Sequence, residues 1–589
     1  MITADKKQIR LPSDMPDGRA LVEEGRKIGE ATKLGRSALC KKYGVANEIE
    51  YKKKMRAEGR LMRSLNIGLS TWRETAEALR NIHEACEERG FRVDRYQMQL
   101  DRRQGLPRDL WEKTPAETGP LLETKDDWME VAQVVPIQPQ LGDMMIGSPM
   151  SVFNAKNAIE AGVNYIGNMS QFAWKYPGWP GTETEQMAEM TKALGLMASK
   201  RAEGCIFQSY LEDGFPAQFK DYCSFIGWVM FERYLISDVV GANLSIGYGG
   251  LTHDPIMKTA LILAIEAITP PEICNSFMHC NTTAQTKIVD NNYSVVSIDD
   301  LYIAMALKRS NSGAALLSIP VTEAIRIPTW QEIVQVQTIA ERTAIYAGEL
   351  MPTIDWSYFD ALKEKLLDGG KRYFDNVMNG LQELKIDLQD PLQILMAIRT
   401  MGAVEIENRW GVGELPKDNT QIYKPIYPTD TFKDYERYKV DVRRYFSGFG
   451  AEVDREQRVV VGSTDIHEYA MLLAVEALRE LGINPIVAGV SVDPDEFADL
   501  ALEANASAIL LSTHNGMALT YSENLLRELK QRSLNIPVGI GGTLNQAIDG
   551  EPEPLDVTDK LAEMGLVVCN QINDLLGVVR KTPPVLMNA

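Results

Sequence analysis

Arg458-Val459-Val460-Val461-Gly462-Ser463-Thr464-Asp465-Ile466-His467 is the stretch from which the fold can be read. Three consecutive valines favour an extended chain, because β-branched side chains suit a pleated surface. The Gly-Ser-Thr-Asp run that follows ends it with turn-forming residues. Four more short apolar runs succeed it, at Pro485–Val490, Ser507–Thr513, Ile536–Gly542 and Leu566–Gln571. Between them lie stretches of helical character, Tyr469–Leu481, Asp493–Glu503, Ser522–Arg532 and Val557–Met564. Strand and helix alternating in this way predict a doubly wound, flavodoxin-like domain over residues 457–589. Such sheets bind ligands at the carboxyl ends of their strands, where His467 stands.

Upstream, Leu415–Tyr438 is polar and carries several prolines, so residues 415–456 read as a linker. Ahead of it, seven short runs alternate with helical segments: Arg92–Leu100, Val131–Gln138, Ala161–Asn168, Gly204–Tyr210, Gly241–Gly250, Glu272–His279 and Gly313–Pro320. Seven or eight βα units over about 300 residues suit a (β/α)8 barrel spanning residues 91–414. An open doubly wound sheet is the alternative. Residues 1–90 are charged and helix-prone, and are expected to form an N-terminal helical segment. Several strand ends are small or polar, among them Gly247–Gly250, His279–Asn281 and Ser318–Pro320. In a barrel these ends face the active site, although turn chemistry alone explains any single glycine.

Composition narrows the function. The net charge of −19 argues against nucleic-acid or anionic-membrane partners, which want a basic face. No apolar run approaches the ~20 residues that span a bilayer. The first residues lack an apolar signal core, so the expected compartment is the cytoplasm. Seven scattered cysteines with no close pair predict free thiols rather than disulfides or structural zinc.

Gly462–Ala470 resembles the Asp-x-His-x-x-Gly motif of cobalamin-binding domains. The resemblance implies that His467 is the cobalt ligand. The chemistry suits the spacing: a loop at a strand end projects the imidazole, and Asp465 hydrogen-bonds its other nitrogen, orienting it and raising its basicity. Ser512 resembles the serine that bonds the cofactor's nucleotide tail. Gly541 and Gly542 follow the fourth strand, where the tail needs bare backbone. One departure is Ala470, which stands where the motif has its last glycine. His514 is expected to serve the loop rather than the metal.

The front region resembles the catalytic barrel of the glutamate mutase and 2-methyleneglutarate mutase family of carbon-skeleton mutases. The likeness runs through Asn243–Gly249, His279 and Glu323–Thr329, in order. Barrel and cobalamin domain in one chain, with the cobalamin part last, look like the 2-methyleneglutarate mutase branch. The resemblance implies adenosylcobalamin, a small dicarboxylate substrate, a radical isomerisation and a homo-oligomer. Arg102 or Arg103 is expected to hold a substrate carboxylate in its planar fork. Gln138 and Gln140 stand where a second arginine is missing, and are expected to donate neutral hydrogen bonds. Lys175 and Tyr176 are expected near a carboxylate. Glu323 is expected on the adenosyl ribose, and Gly247 and Gly249 against the cofactor. Ser318 replaces a family lysine. A corrinoid-dependent methyltransferase, with Cys274, His279 and Cys280 as its only tempting zinc cluster, is the main rival. A noncatalytic corrinoid-binding protein is the other.

Overall fold

In the computed structural model, which describes residues 11–143, 145–414, 424–449, 453–465, 467–514, 516–548 and 554–580, eight parallel strands form the front domain. They are β1 (Met62–Ile67), β2 (Arg95–Met98), β3 (Gln138–Leu141), β4 (Tyr165–Gly167), β5 (Ile206–Tyr210), β6 (Leu244–Gly247), β7 (Phe277–His279) and β8 (Ala315–Leu317). The ladder runs β6-β5-β4-β3-β2-β1-β8-β7. Single hydrogen bonds cross the remaining seam: Tyr248 N donates to Phe277 O at 3.3 Å, and His279 N donates to Tyr248 O at 2.7 Å. This is a nearly closed barrel of the expected kind.

The seam explains two glycines expected on the cofactor. A Cβ on Gly247 would lie 2.6 Å from the Phe277 ring. Gly249 has φ +125°, and a Cβ there would lie 2.5 Å from the His279 carbonyl oxygen. Both are bare because β6 and β7 approach closely, a packing demand rather than a cofactor contact.

Helices cover the barrel, and their ends follow local signals. Glu183–Ser199 and Trp330–Leu350 each begin with a reciprocal capping box, Thr182 with Glu185 and Thr329 with Glu332. The first strand lies within the segment expected to be helical. β1 reads Met-Arg-Ser-Leu-Asn-Ile, and its polar residues hide the apolar alternation that marks a strand. Arg63 is charged because the barrel uses it: its guanidinium reaches Glu341 at 2.5 Å and donates to the Arg92 carbonyl oxygen at 2.5 Å. The barrel therefore starts at Met62, and three helices before it, including Gly18–Ala31, make up the N-terminal segment.

The second domain has β9 (Val459–Ser463), β10 (Ile486–Gly489), β11 (Ala508–Thr513) and β12 (Val538–Gly542), then a short hairpin of β13 (Asn545–Gln546) with β14 (Leu555–Asp556), and β15 (Val567–Cys569). The parallel sheet is ordered β10-β9-β11-β12-β15, the flavodoxin-like order. Of the expected linker, residues 415–423 and 450–452 lie outside the described residues. Much of the rest is a helix, Asp430–Phe446, capped by the Thr429 hydroxyl.

That helix fastens the two domains. Asp430 Oδ2 accepts from the barrel amides of His253 and Asp254 at 2.9 and 2.8 Å. Arg443 pairs with Glu476 of the second domain at 2.9 Å. The domains also touch directly: Gly178 N donates to the Asp493 carboxylate at 3.0 Å, and Lys175 Nζ donates to Glu496 at 2.7 Å. Among the described residues, no helix is long and apolar enough to cross a membrane.

Candidate cofactor and substrate site

The buried valines of β9 place Asp465 just past the strand end, fully buried, while the His467 side chain is 49% exposed. Asp465 Oδ1 lies 2.8 Å from His467 Nδ1 and also accepts from the His467 backbone amide at 2.9 Å. Oδ2 accepts from the His514 amide at 2.6 Å. Burial pushes the Asp465 carboxyl up, but the hydrogen bond and charge of His467 outweigh it and hold the group well below the ordinary range. Burial pulls His467 down, yet the Asp465 bond outweighs it and the net shift is upward. With Nδ1 engaged, Nε2 is the nitrogen left for a metal.

The surroundings fit a corrinoid. The Ser512 side chain is buried, and its Oγ has no hydrogen-bond partner among the described residues. Unpaired buried hydroxyls are costly, and a nucleotide tail carries groups that satisfy one. Gly542 has φ +106°, and a Cβ there would lie 2.2 Å from the Thr513 carbonyl oxygen. A Cβ on Gly541 would lie 2.9 Å from the Cys569 carbonyl oxygen. Ala470 is the second residue of the helix Tyr469–Glu480 and half-buried, so its extra methyl is accommodated. The His514 ring lies 4.9 Å from that of His467. Among the described residues, only Asp465, His467 and His514 bring three potential ligand atoms within 4.8 Å of one another. Cys274, His279 and Cys280 do not form such a group.

His467 opens on a cavity of about 1010 Å³ shared between the domains. Its walls include barrel residues at or just beyond the strand ends, such as Gln97, Asp143, Asp213 and His279, and His467 and Glu468 from the second domain. Arg102, Tyr176 and Glu323 line it, as expected of them. Arg102 Nε donates to Glu117 at 3.2 Å, and the Tyr176 hydroxyl donates to the Arg102 carbonyl oxygen at 2.6 Å. Burial pushes the Glu323 carboxyl up to about 7; its side chain is wetted by the cavity but enclosed by protein.

Other expectations are corrected. Arg103 turns from this cavity and grips Asp101 with two bonds, at 2.9 and 2.8 Å. Lys175 is spent on the interdomain pair with Glu496 and is absent from the lining. Gln138 and Gln140 point into the barrel interior: Gln138 Oε1 accepts from Ser37 at 2.6 Å, and Gln140 Oε1 accepts from Ser276 at 2.7 Å. Both are fully buried, and neither lines the cavity. Ser318 donates to Asp300 at 2.6 Å. His279 does line the cavity, held neutral by burial, with its pKa near 4.

Sequence reasoning missed Asp143, Asp213, Glu468 and Gln97. Asp143 is pushed up to about 7 by burial and by the charge of Asp213. Asp213 is pushed up to about 6 by burial, against the pull of His467. Glu468 is pushed up to about 7 by burial. Glu468 stands inside the Gly462–Ala470 stretch but at one of its variable positions, and no local motif marks the other three, which belong to different strands or their following loops.

Residues 458–551 match the B12 binding domain family, so the second domain is a B12-binding domain behind a TIM-like barrel. A solved structure described as a novel cobalamin-binding protein from Desulfitobacterium hafniense DCB-2 is similar at 14% identity. That match covers 38% of this chain and 95% of the other, with a TM-score of 0.19. No functional conclusion follows from it. No curated protein matches the chain.

Proposed function

We propose that this protein is an adenosylcobalamin-dependent radical carbon-skeleton mutase. One observation carries the reading: His467, with its outer nitrogen available, and the barrel's strand-end residues share a single cavity. A cobalamin carrier would have no use for such a chamber. Adenosylcobalamin, when bound, supplies a carbon radical that takes a hydrogen atom from substrate and later returns it.

The chain's own residues do the rest. His467 would hold cobalt and Asp465 keeps the ring in place. Ser512, Gly541 and Gly542 would receive the nucleotide tail. Glu323 would accept from the ribose hydroxyls. The roof made by the second domain excludes water, which protects reactive species. Arg102 would orient a substrate carboxylate.

The single-chain arrangement supports 2-methyleneglutarate and 3-methylitaconate as the substrate pair. A second reading is favoured by the carboxylates Asp143 and Asp213 on the cavity wall: an acid that also carries a nitrogen cation. The first test is anaerobic incubation with adenosylcobalamin and 2-methyleneglutarate, followed by proton NMR. Formation of 3-methylitaconate, lost in His467→Gly, is the expected result. Bound cofactor with no isomer sinks that substrate. Acquisition of a methyl group on cobalt, with no 5′-deoxyadenosine formed, would move the protein to the methyltransferases.

A further inference from the structure

The charge of the cavity is the wrong sign for a dicarboxylate. Histidines aside, seven carboxylic side chains and three cationic ones line it. Two of the cations already share their charge with a carboxylate, Arg102 through its Nε with Glu117 and Arg326 with Glu332, so Arg102 has only its other guanidinium nitrogens to offer a substrate. Some of the carboxylates are engaged too. Glu212 accepts from the amides of Gly249 and Leu251 at 2.9 and 2.8 Å, and from Thr252. Asp434 pairs with Arg437 at 2.9 Å.

Asp143 and Asp213 differ. Among the described residues, neither has a cationic side chain in an ion pair. Their side-chain donors are neutral amides. Asn168 Nδ2 reaches both, at 2.8 Å from Asp213 Oδ2 and 3.5 Å from Asp143 Oδ1. Gln171 Nε2 donates to Asp143 Oδ1 at 3.1 Å. One amide nitrogen bridging two carboxylates puts them side by side, where each raises the other's cost of ionising.

A second observation points to a ligand in the same place. Gln97, on the same wall, is only 8% exposed, yet its Oε1 has no hydrogen-bond partner among the described residues. Its Nε2 would lie 3.6 Å from a Cβ on Gly142, the residue before Asp143. Two carboxylates and an unused amide oxygen are all acceptors. The group that satisfies three acceptors at once is a donor with positive charge, and an ammonium has three N–H donors.

We propose that Asp143 and Asp213, with the Gln97 carbonyl, form a subsite for the ammonium group of the substrate, and that Arg102 takes a single carboxylate at the other end. The substrate class is then an amino acid with one carboxylate rather than a dicarboxylate. This rests on the reading that the cavity is the substrate chamber, and within it takes the second substrate reading, an acid carrying a nitrogen cation, over the dicarboxylate.

The test uses the adenosylcobalamin-loaded protein and two probes of nearly equal length, 5-aminopentanoate and glutarate. Calorimetric titration is run near pH 8, above the values of about 7 and 6 for the two aspartates. The expected result is 5-aminopentanoate bound at least about tenfold more tightly than glutarate, with that preference abolished in Asp213→Asn. Equal or tighter binding of glutarate, or binding of neither probe, overturns the subsite on the unaltered protein alone. A preference that survives in a folded Asp213→Asn protein, checked by thermal unfolding and retained cofactor absorbance, overturns the assignment to this pair. Failure here is distinct from failure of the mutase reading. Ammonium preference without isomerisation of any acid would leave the subsite standing and remove the mutase. Isomerisation of 2-methyleneglutarate without that preference would do the reverse.

Discussion

At the base of the barrel, Glu48, Lys52 and Arg95 are wholly buried, and each finds opposite charge within the fold. Arg95 lies 2.6 Å and Lys52 3.7 Å from Glu48 Oε1, and both cations sit 4.2 Å from the Tyr165 ring. At the mouth, Asp143 and Asp213 are enclosed with neutral donors only. The two ends thus enclose charge in opposite ways. At the base one carboxylate and the Tyr165 ring serve two cations and hold elements in register, and burial, helped by Arg95, pulls the Lys52 amine down to about 7. Unmatched charge at the mouth costs stability, and a fold tolerates that cost where a ligand relieves it.

The largest expected effect is at the base. Glu48→Ala leaves the buried Arg95 guanidinium without its carboxylate and lets Lys52 lose its proton, and is expected to lower stability by about 3–5 kcal/mol, read as the denaturant midpoint. A change within the range of surface substitutions would end the distinction between the two ends. Next is the cobalamin loop. Asp465→Asn keeps the shape but weakens the hold on Nδ1, and cobalamin affinity should fall about 10–100-fold in an absorbance titration. Unchanged affinity would mean that His467 is oriented by something else.

The pH dependence sharpens the mouth. Asp143 and Asp213 titrate near 7 and 6 when folded, against an ordinary 3.8. The folded state therefore holds protons that the unfolded chain has released between about pH 4 and 7. The contribution of the pair to stability is full below about pH 4 and is lost as pH rises through the folded values. Asp143→Asn should flatten this fall by roughly 1–2 kcal/mol after allowance for cavity water, measured as urea midpoints at low and neutral pH. An identical slope in the variant would show that the pair ionises normally. The smallest effect belongs to Lys175→Ala. Its pair with Glu496 is partly exposed, so stability should change by less than about 1 kcal/mol. Substrate affinity should be unchanged, because Lys175 is outside the cavity; a clear loss would return it to the site.

The parts of this protein that the sequence declared are local ones. Asp465 and His467 are two residues apart, and their bond is fixed by one turn after one strand. Ser512 and Gly541–Gly542 stand at neighbouring strand ends in a domain whose alternation is regular, so their positions could be read from order alone. The alternation of seven runs with helices likewise announced the barrel, with the polar β1 as its hidden member. What the tertiary structure alone decided is which side chains converge. Arg102 and Arg103 are adjacent in sequence, yet one faces the cavity and the other grips Asp101. Gln138 and Gln140 look like substrate ligands on paper and are barrel interior in space. Gln97 lies on β2 while Asp143 and Asp213 follow β3 and β5, and the three meet only when the barrel curls. Periodicity reports which face a residue takes on its own strand or helix; it carries no information about what stands opposite, and a binding site is made of what stands opposite.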